Sequence, residues 1–270
     1  MNRNSEKDGR DKEINDVYAG KNPVAEELAA GVVFDTVFVT KKEGPNAPLI
    51  AKCVKAGATV KEAHPAKLDA LSGGAIHQGI VAVASSAKPA ELDDIFKAAE
   101  EKGEPALILI ADDIQDPHNL GALIRSAECA GAHGVIVPKH RSAMLGGVVA
   151  KSSAGAVSHI PIVKVGNLVN AMKELKQRNV WIYGADMDGG DFYKTDLTGA
   201  SAIVIGSEGE GIGRLVKQTC DGVISIPMSG KINSLNASVA GGILLFEAAV
   251  QRKKKRENKG LRSDISPQQA

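Results

Sequence analysis

From Ala106 onward the chain repeats one pattern, a short β-branched apolar run followed by a stretch of helical period. The runs are LILIA (107–111), GVIVP (134–138), HIPIV (159–163), VWIYGAD (180–186), AIVIGS (202–207) and VISIP (223–227). They are continuous rather than alternating, as befits strands covered on both faces. LGALIRSAECAGA (120–132) and NLVNAMKELKQRN (167–179) carry helical periodicity between them. Strands separated by helices predict a parallel α/β sheet, because parallel neighbours need a crossover connection. A last helix is expected from about Ser234 to Arg256, capped by Asn233 or Ser234 and ending in RKKKR (252–256).

Upstream the pattern differs. A first unit is expected over 17–85, with an amphipathic segment at Pro23–Ala30 and a β-rich run at 32–40. A helix at Ala47–Lys55 and a strand GIVAVAS (79–85) complete it. The stretch 86–105 has Pro near both ends of a charged amphipathic segment, which predicts a linker helix. The second domain then spans 106–256. Residues 1–16 and 257–270 are charged and poor in apolar residues, so both are expected to be disordered tails.

Composition excludes several classes. No stretch approaches the run of about 18 apolar residues that a membrane helix needs. Cys53, Cys129 and Cys220 have neither disulfide nor zinc spacing, and the polar N-terminus is no secretory signal, so a cytoplasmic home is expected. Net charge is only +1, so any nucleic-acid binding must come from a local field. Aromatic residues make up 3%, which disfavours RNA binding dominated by base stacking.

Three segments carry candidate chemistry. GSEGEGIG (206–213) follows a strand, yet fails both the dinucleotide fingerprint and the phosphate-loop pattern. It reads either as a loop that lets a ligand approach the backbone or as a plain tight turn. IPMSGKINSLNASVAGG (226–242) leads a buried strand into a helix rich in Ala and Gly, packed either within the chain or against a partner. In DDIQDPHNLGALIRSAECAGA (112–132), Asn119 stands at an N-cap position and Arg125 lies within the second turn. A guanidinium near a helix N-terminus suits phosphate, while simple capping and a surface ion pair are the plainer readings. Asp112, Asp113 and Asp116 read as structural. DMDGGD (186–191) lacks the later ligands of a calcium loop, and the histidines show no metal-ligand spacing, so no metal is expected.

Taken together, DPHNLGALIRSAECAG, IVIGSEGEGI and ISIPMSGKINSLNASVAGGILLFE resemble the three signature motifs of the SpoU (TrmH-like) branch of SPOUT RNA methyltransferases. GKNPVAEEL (20–28) and HQGIVA (77–82) resemble the small L30e-like RNA-binding domain of its ribosomal-RNA members. The resemblance is strongest to the bacterial large-subunit rRNA guanosine-2′-O-methyltransferases.

The resemblance implies a C-terminal SPOUT-type α/β domain with a trefoil knot and a mainly parallel sheet, preceded by a small L30e-like α/β domain. It implies S-adenosyl-L-methionine as cofactor, RNA as substrate and a homodimer with the active site at the subunit interface, an arrangement that would explain the small-residue final helix. Carried over, the cofactor pocket involves Gly206, Ser207, Gly209, Gly211, Ile226, Met228 and Leu235. The catalytic positions are Asn119, Arg125, Glu208, Ser234 and Asn236. The expected reaction is 2′-O-methylation of a 23S rRNA guanosine. The alternatives are a tRNA ribose methyltransferase, a resistance rRNA methyltransferase, or a catalytically silent RNA-binding assembly factor.

Overall fold

The computed structural model describes residues 16–232 and 234–263. Two sheets organise the chain. The first has the order β1 (Val17–Ala19), β4 (Ile80–Ala84), β2 (Phe34–Val39), β3 (Thr59–Glu62). β4 runs antiparallel to β1 and β2, and β3 lies parallel to β2. Alternate residues serve opposite faces, as the two-residue period of a strand requires. Val37, Val39, Ile80 and Ala82 pack with α1 (Lys21–Ala29) and α2 (Ala47–Lys55). Phe38, Val81 and Val83 pack instead against Leu68 of α3 (Pro65–Ser72).

The second sheet has seven strands, all parallel, in the order β11-β9-β10-β6-β7-β8-β5. Its members are β5 (Pro89–Ala90), β6 (Leu107–Ala111), β7 (Gly134–Pro138), β8 (Ile162–Val165), β9 (Trp181–Asp191), β10 (Ser201–Ile205) and β11 (Gly222–Ser225). Helices cover both faces. α5 (Pro117–Cys129), α6 (Gly147–Ser152) and α9 (Ala237–Ser263) share one core with Leu107, Leu109, Ile203 and Ile205. α4 (Leu92–Glu101), α7 (Leu168–Gln177) and α8 (Arg214–Thr219) share the other with Ile108, Ile110, Ala202 and Val204. Every β6 and β10 residue is therefore buried, which is why those runs are continuously apolar.

The predicted strands form, with shifts at their ends. β8 starts three residues late because Ala156–Ser158 closes a 3-10 turn. β9 runs on through DMDGGD to Asp191 and pairs with β11 at Tyr183 and Gly184 and, after a register shift, at Gly190 and Asp191. The helix within 86–105 is α4, but it is no free connector. Ile95 packs so closely on β7 that a Cβ on Gly134 would lie 2.4 Å from it. Six short elements escaped the pattern: β1, β3, β5, α3, α6 and α8 have too few residues for a period to show.

Both ends are more ordered than expected. Asp16 accepts a backbone hydrogen bond from Ala84 at 2.6 Å, so the first strand's anchoring begins there. α9 continues through Ser263 instead of giving way to a tail at 257. The expected cap at Asn233 falls outside the described residues. The expected cap at Ser234 is replaced by Asn236, whose Oδ1 accepts from Ser238 N–H at 2.9 Å. Asn119 is likewise no N-cap. Asp116 caps α5 through His118 N–H at 2.9 Å, with Pro117 at the first helical position.

Candidate active site

β6 leads to β7 and β8 on one side of the sheet, while β9 and β10 are added on the other. The strand order therefore switches direction between β6 and β10, where open α/β sheets form ligand crevices beyond their carboxyl ends. Two loops form the crevice at this end.

The first is 206–213. Gly206 is obligatory, since a Cβ there would lie 2.1 Å from the Gly211 carbonyl carbon. The loop doubles back, with Ser207 and Gly211 exchanging backbone hydrogen bonds of 3.1 and 2.9 Å, and Gly211 takes φ +66. Gly213 N–H donates to Asp112 Oδ2 at 2.8 Å and so pins the loop to the exit of β6. Burial raises the Asp112 carboxyl above its ordinary pKa, against the pull of that N–H donor.

The second loop, after β11, carries Ile226, Pro227 and Met228 and leads on through Ser234, Leu235 and Asn236 into α9. Together with Ala185, Asp186 and Met187 of β9 they enclose a cavity of about 450 Å³. Gly206, Ser207, Gly209, Gly211, Ile226, Met228 and Leu235 all line it, and so do Glu208 and Ser234. The floor is apolar, built from Ile205, Ile224, Ala237, Ala240 and Leu244. The charged residues on its wall are Asp186, Glu208 and Glu210. An apolar floor with an acidic wall suits a ligand that carries both a flat ring system and a positive charge.

Asn119, Glu208 and Asn236 meet at the rim. Asn119 Nδ2 donates to Glu208 Oε1 at 3.1 Å, and Asn236 Nδ2 donates to Asn119 Oδ1 at 3.0 Å and also to Glu208 Oε1. α6 steadies the helix that carries Asn119, for the Ser152 hydroxyl donates to Pro117 O at 3.1 Å. Arg125 does not join this cluster. It lies six residues beyond Asn119, about 120° around α5, and is exposed. It makes no ion pair or hydrogen bond among the described residues.

Sequence reading missed Asp186, having set its segment aside as a failed calcium loop. Lys217 of α8 holds it at 2.8 Å, and that hydrogen bond keeps its pKa below the usual carboxylate range. Its position at the end of the apolar run VWIYGAD was the available signal. The small residues of α9 also find an explanation inside the chain. A Cβ on Gly241 would lie 2.3 Å from Leu123 of α5, so this glycine admits a neighbouring helix of the same subunit.

Comparison with known proteins agrees with this geometry. A family model described as the SpoU rRNA Methylase family matches residues 106–246, and one described as RNA 2'-O ribose methyltransferase substrate binding matches residues 19–90. The chain belongs to the SpoU rRNA methylase family. Among its SpoU relatives, the 23S rRNA (guanosine-2'-O-)-methyltransferase RlmB of Photobacterium profundum is 43% identical over 242 residues, covering 88% of this chain and 98% of that protein. RlmB of Escherichia coli K12 is 42% identical over 222 residues, 81% of this chain and 91% of that protein. The SpoU methyltransferase AviRb of Streptomyces viridochromogenes, solved in complex with AdoMet, superposes with a TM-score of 0.58 at 27% identity, over 88% of this chain and 90% of that one.

Proposed function

We propose that this SpoU protein is an S-adenosyl-L-methionine-dependent RNA methyltransferase that acts on the 2′-hydroxyl of a guanosine in 23S rRNA. The observation that carries the reading is the single cavity shared by the 206–213 and 226–236 loops, with Asn119, Glu208 and Asn236 joined at its rim. The cavity fits the cofactor: Ile205, Ile226 and Leu235 offer an apolar bed, and Asp186, Glu208 and Glu210 favour a cation. When bound, S-adenosyl-L-methionine supplies an activated methyl group on a positively charged sulfur.

The residues of the chain supply alignment and nucleophile activation. Gly206 and Gly211 shape the loop around the donor, and Asn119, Glu208 and Asn236 fix the ribose beside it. Ser234, exposed on the cavity wall, is placed to hold the ribose or the donor in line. Arg125 holds the neighbouring phosphate and lowers the hydroxyl's pKa. It is not itself the proton acceptor, because a guanidinium stays protonated to above about pH 12. The proton passes to that phosphate or to water.

We further infer a homodimer in which Arg125 serves the partner's cavity. Val239, Ile243, Phe246 and Val250 form an exposed apolar stripe along α9, the helix that packs beside α5. A trefoil knot is the matching inference for the chain path. It rests on the match of residues 106–246 to the SpoU rRNA Methylase family. The expected setting is the cytoplasm, and among the described residues no helix is long and apolar enough to cross a membrane.

The test is methyl transfer from labelled donor to total rRNA and tRNA, followed by mapping of 2′-O-methyl sites. Label at a 23S guanosine is expected. Label confined to tRNA overturns the substrate, and no label in any RNA overturns the activity.

A further inference from the structure

The small sheet packs on the large one along a seam. Met144 inserts among Phe38, Leu68, Val81 and Val83, and Ser86 N–H donates to Leu145 O at 2.6 Å. The rim of this seam is basic. Lys164, at the end of β8, reaches the buried carboxylate of Asp35 at 2.8 Å. Lys61 on β3 and Lys67 on α3 crowd the same place. Burial chiefly, and then the charges of Lys164 and Lys67, hold the Lys61 ammonium below its ordinary pKa, with Asp35 offsetting only part. Of these three ammonium groups only Lys164 is paired with the carboxylate among the described residues.

The large domain continues the charge. β7 ends in Lys139, His140 and Arg141, all exposed. This turn is held rigidly: Lys139 N–H donates to Val165 O at 2.8 Å and Ala143 N–H to Ile114 O at 2.9 Å. Arg141 is kept at φ +57, a left-handed conformation that costs a non-glycine residue energy and marks functional sites more often than others. Its field reaches Asp112, the carboxylate that pins the 206–213 loop. Among the described residues Lys61, Lys67, Lys139 and Arg141 have no ion-pair partner. β7 stands two strands from β10, so the turn lies roughly 10 Å from the cavity loop at the same end of the sheet.

We propose that this seam is a phosphate track, in which Lys61, Lys67, Lys139 and Arg141 grip the RNA backbone between the small domain and the cavity. The proposal rests on the RNA-methylating reading and adds the route by which the strand arrives. It reconciles a chain of net charge +1 with an anionic polymer as substrate, since the positive field is concentrated on one line. It also suits a protein with 3% aromatic residues, which must hold RNA by its backbone.

The test compares wild type, Lys67→Gln, the double variant Lys139→Gln/Arg141→Gln, and the control Lys97→Gln/Lys173→Gln on the opposite face of the large sheet. Binding of a 23S rRNA fragment is measured against salt, alongside KM for RNA and for the methyl donor. The track variants should raise KM for RNA about tenfold or more and leave KM for the donor unchanged. They should also flatten the slope of log K against log salt by about 0.7 for each phosphate no longer neutralised. The control should match wild type. In a second measurement on unmodified protein, bound RNA should shield Lys67 and Lys139 from acetylation but not Lys97 and Lys173. An active wild type whose track variants keep its KM and salt slope, with no shielding of Lys67 or Lys139, overturns the track alone. A wild type that neither binds nor methylates RNA overturns the methyltransferase reading and the track with it.

Discussion

Asn119 donates a hydrogen bond to Glu208 across 89 residues of chain, and Asn236 closes the same cluster from the start of α9. Asn236 does two jobs, because its Oδ1 caps α9 while its Nδ2 serves Asn119 and Glu208. Asn236→Asp separates them. Aspartate caps a helix as well as asparagine, so the melting temperature should hold, whereas Asn236→Ala should cost about 1 kcal/mol. Both variants should lose methyl transfer, since neither can donate to Asn119 and Glu208. An Asn236→Asp protein with wild-type turnover would remove the cluster from the mechanism.

Arg125→Ala should abolish turnover while donor affinity and melting temperature stay as they are, because the side chain is exposed and makes no hydrogen bond or ion pair among the described residues. Mixing Arg125→Ala subunits with Asn236→Ala subunits should restore part of the activity if Arg125 serves the partner's cavity. Activity that stays at zero in the mixture would place both residues in one subunit's site.

Gly206→Ala puts a methyl group 2.1 Å from backbone, where no rotamer can relieve it. The loop must open, at a cost of about 1–3 kcal/mol. Donor affinity, read by calorimetry, should fall about tenfold or more, while the rest of the fold stays intact by circular dichroism.

His133 is 1% exposed and accepts Leu107 N–H at 2.9 Å. Burial, helped by the charge of Lys102, lowers its pKa to about 4, against 6.5 for the free imidazole. Between these values the unfolded chain holds the extra proton, so stability rises with pH through that window. It should fall by about 3 kcal/mol as pH drops from 6.5 toward 4, with little further loss from this group below 4. Urea midpoints of wild type and His133→Asn across that range check this, since the asparagine oxygen can take over the bond to Leu107. Parallel slopes would show that other groups dominate.

Arg252 is 7% exposed, and its guanidinium donates to the carbonyls of Leu197, Pro105, Ala106 and Gly199 and to the Ser201 hydroxyl. Burial pulls its pKa down to about 10, and it remains charged at neutral pH. Arg252→Met leaves several buried acceptors bare at about 1–3 kcal/mol each, so a loss of about 3 kcal/mol or more is expected in the urea midpoint. Arg252→Lys should recover little, because an ammonium cannot reproduce the planar fork.

Much of the molecule was legible in the order of its residues. β6, β7 and α2 stand where their patterns place them, because a run buried on both faces must be apolar throughout and an amphipathic helix must show its period. The glycine of the 206–213 loop was legible for a related reason, since a backbone that folds back on itself tolerates only glycine there, whereas Ile226, Met228 and Leu235 came from the family resemblance alone. RKKKR gave no sign of what its first residue does. Nothing local marks Arg252 as buried, since only the carbonyls of Pro105, Ala106, Leu197 and Gly199, brought from two distant stretches, make burial tolerable.

The chain alone thus determined its long strands and helices, because those follow from local period and local sterics. The tertiary structure alone decided which caps are used, that α4 is part of a core, and that Asn119, Glu208 and Asn236 touch while Arg125 stands apart. Those outcomes depend on strand order and on which faces are covered, and both arise from packing between residues far apart in the chain.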